Sequence, residues 1–383
     1  MSTKQTSLIP RQVLSLCVVA GFVATAVAVT QPDAVTAFTR KVATRIVENI
    51  EWLVQLPANH TESFFVPYLA LSFAIALLIV RREAPEPLGW RALLRRVFPR
   101  DIYWHRSARV DYAIALTEQV FTPAVLATRL LSIAAFAGWI GTQLTTILGQ
   151  REPVLSGTMA AVAFTLIFAL ASDLGIYLTH RLHHSSKLLW QFHRLHHSAE
   201  VLTPLTVLRA HPVEQVTDAI ATTFVVGFIT GICGYWLTGS QTPLTFLGTQ
   251  LLLVVLNTIC AIHLRHTHVW MSWSPALSHI LISPAQHQIH HSIAAHHWNK
   301  NYGNVFALWD WMFGSLYVPR GREELAFGLA EGQPHATLVE AYLEPFAGAR
   351  RQVTASLRRG ADALQSLSVS VAQYLSADRS SGL

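Results

Sequence analysis

Charge is scarce in this chain. Only 13% of its 383 residues are Asp, Glu, Lys or Arg, where soluble domains run near a quarter. With 51% hydrophobic content, that scarcity argues against a pair of soluble domains and for one integral membrane bundle. Cysteine is as thin: Cys17, Cys233 and Cys260 stand far apart in apolar stretches. An odd, scattered set offers no disulfide framework and no zinc-finger spacing. No Gly-x-Gly-x-x-Gly motif and no cysteine cluster occurs, so the chain carries no nicotinamide or iron–sulfur module of its own. No H-E-x-x-H motif marks a zinc hydrolase. The Glu-x-x-His motif of carboxylate-bridged diiron bundles is missing too. Internal repeats and low-complexity tracts are also lacking.

The charge that is present is clustered. Net charge is +6, and Arg81, Arg82, Arg91, Arg95, Arg96 and Arg100 crowd "RREAPEPLGWRALLRRVFPR". An arginine cluster just beyond an apolar run marks the cytosolic flank of a span, and no nucleic-acid partner is expected. Apolar runs at 12–30, 63–80, 122–149, 155–172, 216–237 and 243–262 predict about six spans. The first is either a cleaved signal peptide or, as its long apolar part favours, a retained helix. The third and fourth read as a helical hairpin joined at "GQREP", the fifth and sixth as another turning at "TGSQTP". With the arginine cluster cytosolic, each hairpin returns the chain to the cytosol just before histidines. The expected fold is therefore an all-α integral membrane bundle with a cytosolic, histidine-rich helical cap. Its divisions are 1–110, N-terminal helices and a basic loop; 111–319, a catalytic core; and 320–383, a polar tail. The tail segment "RRQVTASLRRGADALQSLSVSVAQYL" reads as an amphipathic helix, on the membrane surface or in solvent.

Histidine is what this chain has in excess. Sixteen of its nineteen fall between His180 and His297. His180 and His184 form H-x3-H; His193, His196 and His197 form H-x2-HH; His287, His290 and His291 repeat H-x2-HH. On a helix, positions i, i+3 and i+4 share a face, so each triplet is expected to point three imidazoles one way. These eight exceed the four ligands of one tetrahedral zinc and suit a pair of metals. Imidazole alone does not choose among zinc, copper, iron and nickel. His60, His105 and His335 lie outside the clusters and read as structural, while His183, His279, His296 and His297 read as neighbours of a metal site. Asp173, two turns before His180, is placed to orient an imidazole through its second ring nitrogen or to cap the helix.

These blocks resemble the fatty acid hydroxylase/sterol desaturase superfamily of membrane diiron enzymes, from about 160 to 318. "SDLGIYLTHRLHH", "LLWQFHRLHHS", "RAHPVE" and "ISPAQHQIHHS" followed by "NKNYGNVFALWDWMFGSLYVP" are similar to its blocks in order and spacing. The resemblance implies His180, His184, His193, His196, His197, His287, His290 and His291 as ligands. It adds His266 of "RHTHV" as a ninth, with His211, His263 and His268 weaker candidates, and gives Asp173 a supporting catalytic role. It also implies two Fe ions and O2 as co-substrate. A lipid drawn from the bilayer, a sterol or fatty acyl chain among others, would be hydroxylated or desaturated. An external ferredoxin, cytochrome or reductase would supply electrons. A haem electron carrier and an inactive lipid-binding scaffold are the rivals.

Overall fold

In the computed structural model the chain divides into two compact units, Met1–Leu56 and Pro57–Leu383. The described residues are 66–239, 241, 243–246, 249, 250, 252, 255, 256, 258, 260–332 and 335–380, all in the second unit. The expected span 12–30 lies outside them.

Eight helices carry the architecture: α1 (Val66–Glu83), α2 (Trp90–Val97), α3 (Arg106–Leu148), α4 (Gly157–Ser185), α5 (Trp190–His197), α6 (Pro212–Cys233), α7 (Pro284–His290) and α8 (Leu338–Ser380). Two strands of two residues each, Thr245–Phe246 (β1) and Thr249–Gln250 (β2), pair antiparallel. The remaining described residues form short helical turns and loops.

Among the described residues, two helical runs are long and apolar enough to cross a membrane: α4, and α6 with the π-turn that extends it to Thr238. Both show an outward apolar stripe at helical spacing. Met159, Val162, Leu166 and Leu170 are exposed on α4, and Val216, Ile220, Phe224 and Phe228 on α6. Polar threonines lie inward instead, their hydroxyls returned to their own helix (Thr165 to Ala161 O, Thr230 to Val226 O).

The expected hairpins change form. α3 begins at Arg106, not near 122, and its 43 residues extend about 65 Å at 1.5 Å per residue. The His105 ring caps it, accepting from Ser107 N at 3.2 Å. α6 packs along both α3 and α4 and so lies between the expected hairpin partners. Glycine permits that approach: a Cβ on Gly231 would meet Ile140 Cβ at 2.7 Å and Ala137 O at 2.8 Å. Small residues at such a seam let backbones close together where water gives no hydrophobic drive. The return leg, 243–262, is not one helix. "TGSQTPLTFLGTQ" is too rich in glycine, proline and threonine, and β1 and β2 occupy part of it.

The directions of these helices matter for the site. The C-terminal end of α3 and the start of α4 lie beside the end of α6, where Leu155 N donates to Leu237 O at 2.8 Å. The N-terminus of α3, the C-terminus of α4 and the N-terminus of α6 therefore share the opposite end, which carries the histidines. That end is tied by a buried ion pair, Arg209 Nη1 to Asp111 Oδ1 at 2.6 Å. Arg209 also donates to Leu195 O and Ser198 Oγ, and Thr206 Oγ1 donates to Asp111 Oδ2. α8 starts here as well. Phe346 rests against Phe192, and Gly348 lies flush against Gln191 of α5. The tail is thus one long helix docked at its start, with Leu357, Leu364 and Leu367 exposed further on.

Removing one partner of a buried pair leaves an uncompensated charge. Asp111→Ala is expected to destabilise the detergent-solubilised protein by about 3–5 kcal/mol, and adding Arg209→Met to recover most of the loss. Denaturant unfolding of the single and double variants checks this.

Candidate metal centre

Each histidine cluster is placed by local features of its own segment. α4 delivers His180 and His184 at its last turns, and α5 delivers His193, His196 and His197. α7 begins with Pro284 after a capping box, in which Ser283 Oγ accepts from Gln286 N and Gln286 Oε1 accepts from Ser283 N; it ends in His287 and His290, with His291 next. His266 follows a 3₁₀ turn (Ile262–Leu264) entered through Ala261 in the left-handed region (φ 48°).

The nine imidazoles converge in two adjoining groups. His180, His184, His193, His197 and His290 form one; His196, His266, His287 and His291 form the other. Each H-x2-HH triplet is therefore divided, and does not act as a unit. The i, i+4 pairs His180/His184 and His193/His197 stay together in the first group, and His287/His291 in the second. The i+3 residue of each triplet, His196 or His290, crosses to the other group. Successive α-helical residues turn by about 100°, so i+4 and i+3 lean to opposite sides of residue i. The groups touch through His197 and His291, stacked with ring centroids 4.6 Å apart.

The nitrogens call for cations. In the second group the Nε2 atoms of His266, His287 and His291 stand 3.0, 3.1 and 3.2 Å from one another. A ring nitrogen is either a donor or an acceptor. In such a triangle at least one pair must clash as lone pair on lone pair or hydrogen on hydrogen. A shared metal at the usual 2.0–2.1 Å removes the clash, since tetrahedral bonds of that length set nitrogens about 3.3 Å apart. In the first group, His180, His197 and His290 each bury an Nε2 that has no hydrogen-bond partner. Three tautomers in this group are fixed from behind. His180 Nδ1 donates to Tyr302 O and His290 Nδ1 to Lys300 O, both at 2.8 Å, while His193 Nδ1 donates to Glu214 Oε1 at 2.7 Å. Each such bond leaves a lone pair on Nε2, as metal binding requires.

Burial, reinforced by neighbouring imidazoles, holds His197, His266, His287 and His291 well below the ordinary imidazole range. Burial takes His196 and His290 down to about 3. Burial thus favours the neutral, ligating form of these rings.

Asp173 does not hold an imidazole. Its carboxylate accepts from Val305 N at 2.8 Å, Phe306 N at 3.1 Å and Trp309 Nε1 at 2.8 Å. Asp310 does parallel work, accepting from Tyr302 N at 2.9 Å and Gly303 N at 2.7 Å. These two buried carboxylates hold the loop whose carbonyls at 300 and 302 orient His290 and His180, so Asp173 reaches the imidazoles through that loop and not by a direct hydrogen bond. The loop needs its own residues. Asn301 sits at φ 56°, and a Cβ on Gly303 would strike Phe306 O at 2.6 Å.

The weaker candidates are bound elsewhere. His211 caps α6 and donates to Tyr342 O; His263 meets Ser72 Oγ at 3.2 Å; His268 meets Arg96 O at 2.8 Å. His183 bonds Thr217 Oγ1 outside both groups. Glu214 and Asp310, buried beside the site, were not singled out by the histidine spacing. Their signal lay in "RAHPVE" and in the "WD" of "ALWDWM", where an acid follows a helix-starting proline or opens a short helix.

A cavity of about 380 Å³ opens onto both groups. His184, His197, His290 and His291 form its floor, Trp190, Ile293, Trp298 and Leu329 its apolar sides, and Lys187 and Glu331 part of its rim. Arg194 pairs with Glu331 at 2.8 Å.

Losing the carboxylate behind a ligand typically weakens metal binding 10- to 100-fold. Glu214→Ala is therefore expected to lose metal to a competing chelator at about 10- to 100-fold lower chelator concentration than the unaltered protein.

The sequence model of the fatty acid hydroxylase family matches residues 165–315. The ornithine lipid hydroxylase OlsE of Rhizobium tropici is 25% identical over 196 residues, covering 47% of this chain and 54% of that relative. The chain thus spans about half the length of the curated relative it matches. No solved structure gives a significant match. All nine converging imidazoles lie within the segment that the fatty acid hydroxylase family model matches.

Proposed function

We propose that this protein is an O2-dependent diiron oxygenase that hydroxylates a C–H bond of a membrane lipid. The observation that carries the reading is the pair of adjoining all-imidazole groups, five and four strong, under one cavity at the end of a helical bundle. His180, His184, His193, His197 and His290 would hold one iron, and His196, His266, His287 and His291 the other. With a pair of irons bound, the site supplies the power to reduce O2 and oxidise an unactivated C–H bond, using electrons from an external ferredoxin, cytochrome or reductase.

The chain's own residues do the rest. Tyr302 O, Lys300 O and Glu214 hold the Nδ1–H protons of His180, His290 and His193, which keeps each Nε2 available. Trp190, Ile293 and Leu329 line the cavity with apolar surface that keeps bulk water from the floor. The exposed apolar stripes of α4 and α6 fit lipid contact, so the bundle sits in the bilayer and the histidine end lies at its cytosolic face, beside the basic residues 81–100. A lipid would enter by its tail and leave its polar part near Lys187. The relative's name puts an ornithine lipid among the candidate substrates beside a sterol or fatty acyl chain. All place an aliphatic C–H over the same floor. A bis-histidine haem carrier fits less well, because it needs a coaxial pair of rings and not two clusters of converging nitrogens.

Lipid mass spectrometry of cells with and without this protein tests the proposal. Gain of one oxygen atom in a lipid class is expected; loss of a hydrogen pair would mark desaturation instead. His290→Ala, which removes a buried ligand, is expected to cut product at least about a hundredfold and to lower iron content. Full turnover in that variant would overturn the assignment.

A further inference from the structure

A third group of ligating side chains stands apart from the nine. His296, His297 and Glu323 bring two imidazoles and a carboxylate within 4.8 Å of one another. The ring centroids of His296 and His297 are 3.9 Å apart. His297 Nε2 lies 2.9 Å from Glu323 Oε2, and Tyr317 donates its hydroxyl to Glu323 Oε1 at 3.1 Å. A plain hydrogen bond between His297 and Glu323 accounts for one ring nitrogen only. His297 is 2% exposed, and its Nδ1 is buried without a partner, so the ring keeps ligating capacity it does not use. His296 is exposed, with its ring against that of His297.

The chemistry of the set is specific. Two imidazoles with one carboxylate and open positions suit a late divalent first-row ion such as Zn²⁺ or Fe²⁺. Tetrahedral bonds of 2.0–2.1 Å set two ligand atoms about 3.3 Å apart, so the 2.9 Å between His297 Nε2 and Glu323 Oε2 would need only a small opening to admit an ion.

Position gives the group a consequence. Ser292 bridges to Phe327, and Ile293 N donates to Ala326 O at 3.0 Å, so the segment after His291 pairs with the loop that carries Glu323. That same loop supplies residues 328–331 to the wall of the cavity over the nine imidazoles. We propose that His296, His297 and Glu323 form a third transition-metal site that clamps the 320–331 loop across the mouth of that cavity. The metal would join the ligand-bearing segment to the cavity wall beside the His297–Glu323 contact and the Ser292–Phe327 bridge. This site is independent of whatever reaction the nine imidazoles support.

The test uses the full chain purified in detergent, as wild type, His296→Ala and Glu323→Gln. Each is dialysed to equilibrium against buffered Zn²⁺, and metal is counted by mass spectrometry. Wild type is expected to hold one more zinc per chain than either variant. Digestion with trypsin reads the clamp, because Arg320 and Arg322 are exposed in this loop. At free zinc about a hundred times its dissociation constant, opening and therefore cleavage at these arginines should fall about a hundredfold in wild type. Neither variant should show that protection. Equal zinc in all three proteins overturns the site, and a zinc difference without protection overturns the clamp. The same comparison in a His290→Ala background keeps the result separate from the larger centre. There the difference should persist, and its loss would show the extra zinc to belong to the nine imidazoles.

Discussion

The structure depends on forcing nine neutral imidazoles into one dry place. Polar rings taken out of water need partners, and a buried donor or acceptor left alone costs about 1–3 kcal/mol. Here the Nδ1 side of His180, His193 and His290 is satisfied by carbonyls and a carboxylate, while the Nε2 side is left to its neighbours or to nothing. That asymmetry fits a shell that is completed by cations. Much of the surrounding fold serves it. The Arg209–Asp111 pair closes the end of the bundle, and two buried acids, Asp173 and Asp310, pin the loop that aims the rings.

The helical division of labour follows from the same demand. α4 and α6 are apolar outside and close-packed within, α4 ending and α6 starting at the end that carries the histidines. α5 and α7 are short, of eight and seven residues, because each has only to rotate a triplet of histidines into place. A helix distributes i, i+3 and i+4 over a narrow arc, and that arc is wide enough to feed two neighbouring groups from one element. Two triplets and one pair, with His266 from a turn, therefore build both groups from imidazole alone, with Glu214 reaching only the Nδ1 side of His193.

The cavity relates this centre to its surroundings. Its floor is imidazole, its sides aromatic and aliphatic, and its rim charged. An amphipathic molecule with a long apolar part matches that gradient. The loop at 320–331 completes the wall and is tied back by Arg194–Glu331 and by the His297–Glu323 contact, so access depends on a segment outside the ligand-bearing blocks.

Much of this was open to reading from the sequence. Histidine spacing located eight of the converging imidazoles, because helical periodicity is local and survives any tertiary arrangement. Hydropathy found α4 and α6, because a long apolar run has few other uses. His266 came only with the family resemblance, since a lone histidine in a turn carries no periodic signal. The division of each triplet between two groups was not readable, because it depends on how α4, α5 and α7 are rotated against one another. Nor was the work of Asp173: sequence distance put it two turns from His180, while the fold brought residues 305–309 to its carboxylate. Residue types and their local periods thus determined which chemistry is present. Tertiary packing alone decided which nitrogens meet and which acids hold them, because such partners, from His193 and Glu214 to His180 and Tyr302, lie on different elements brought together by the fold and by nothing along the chain.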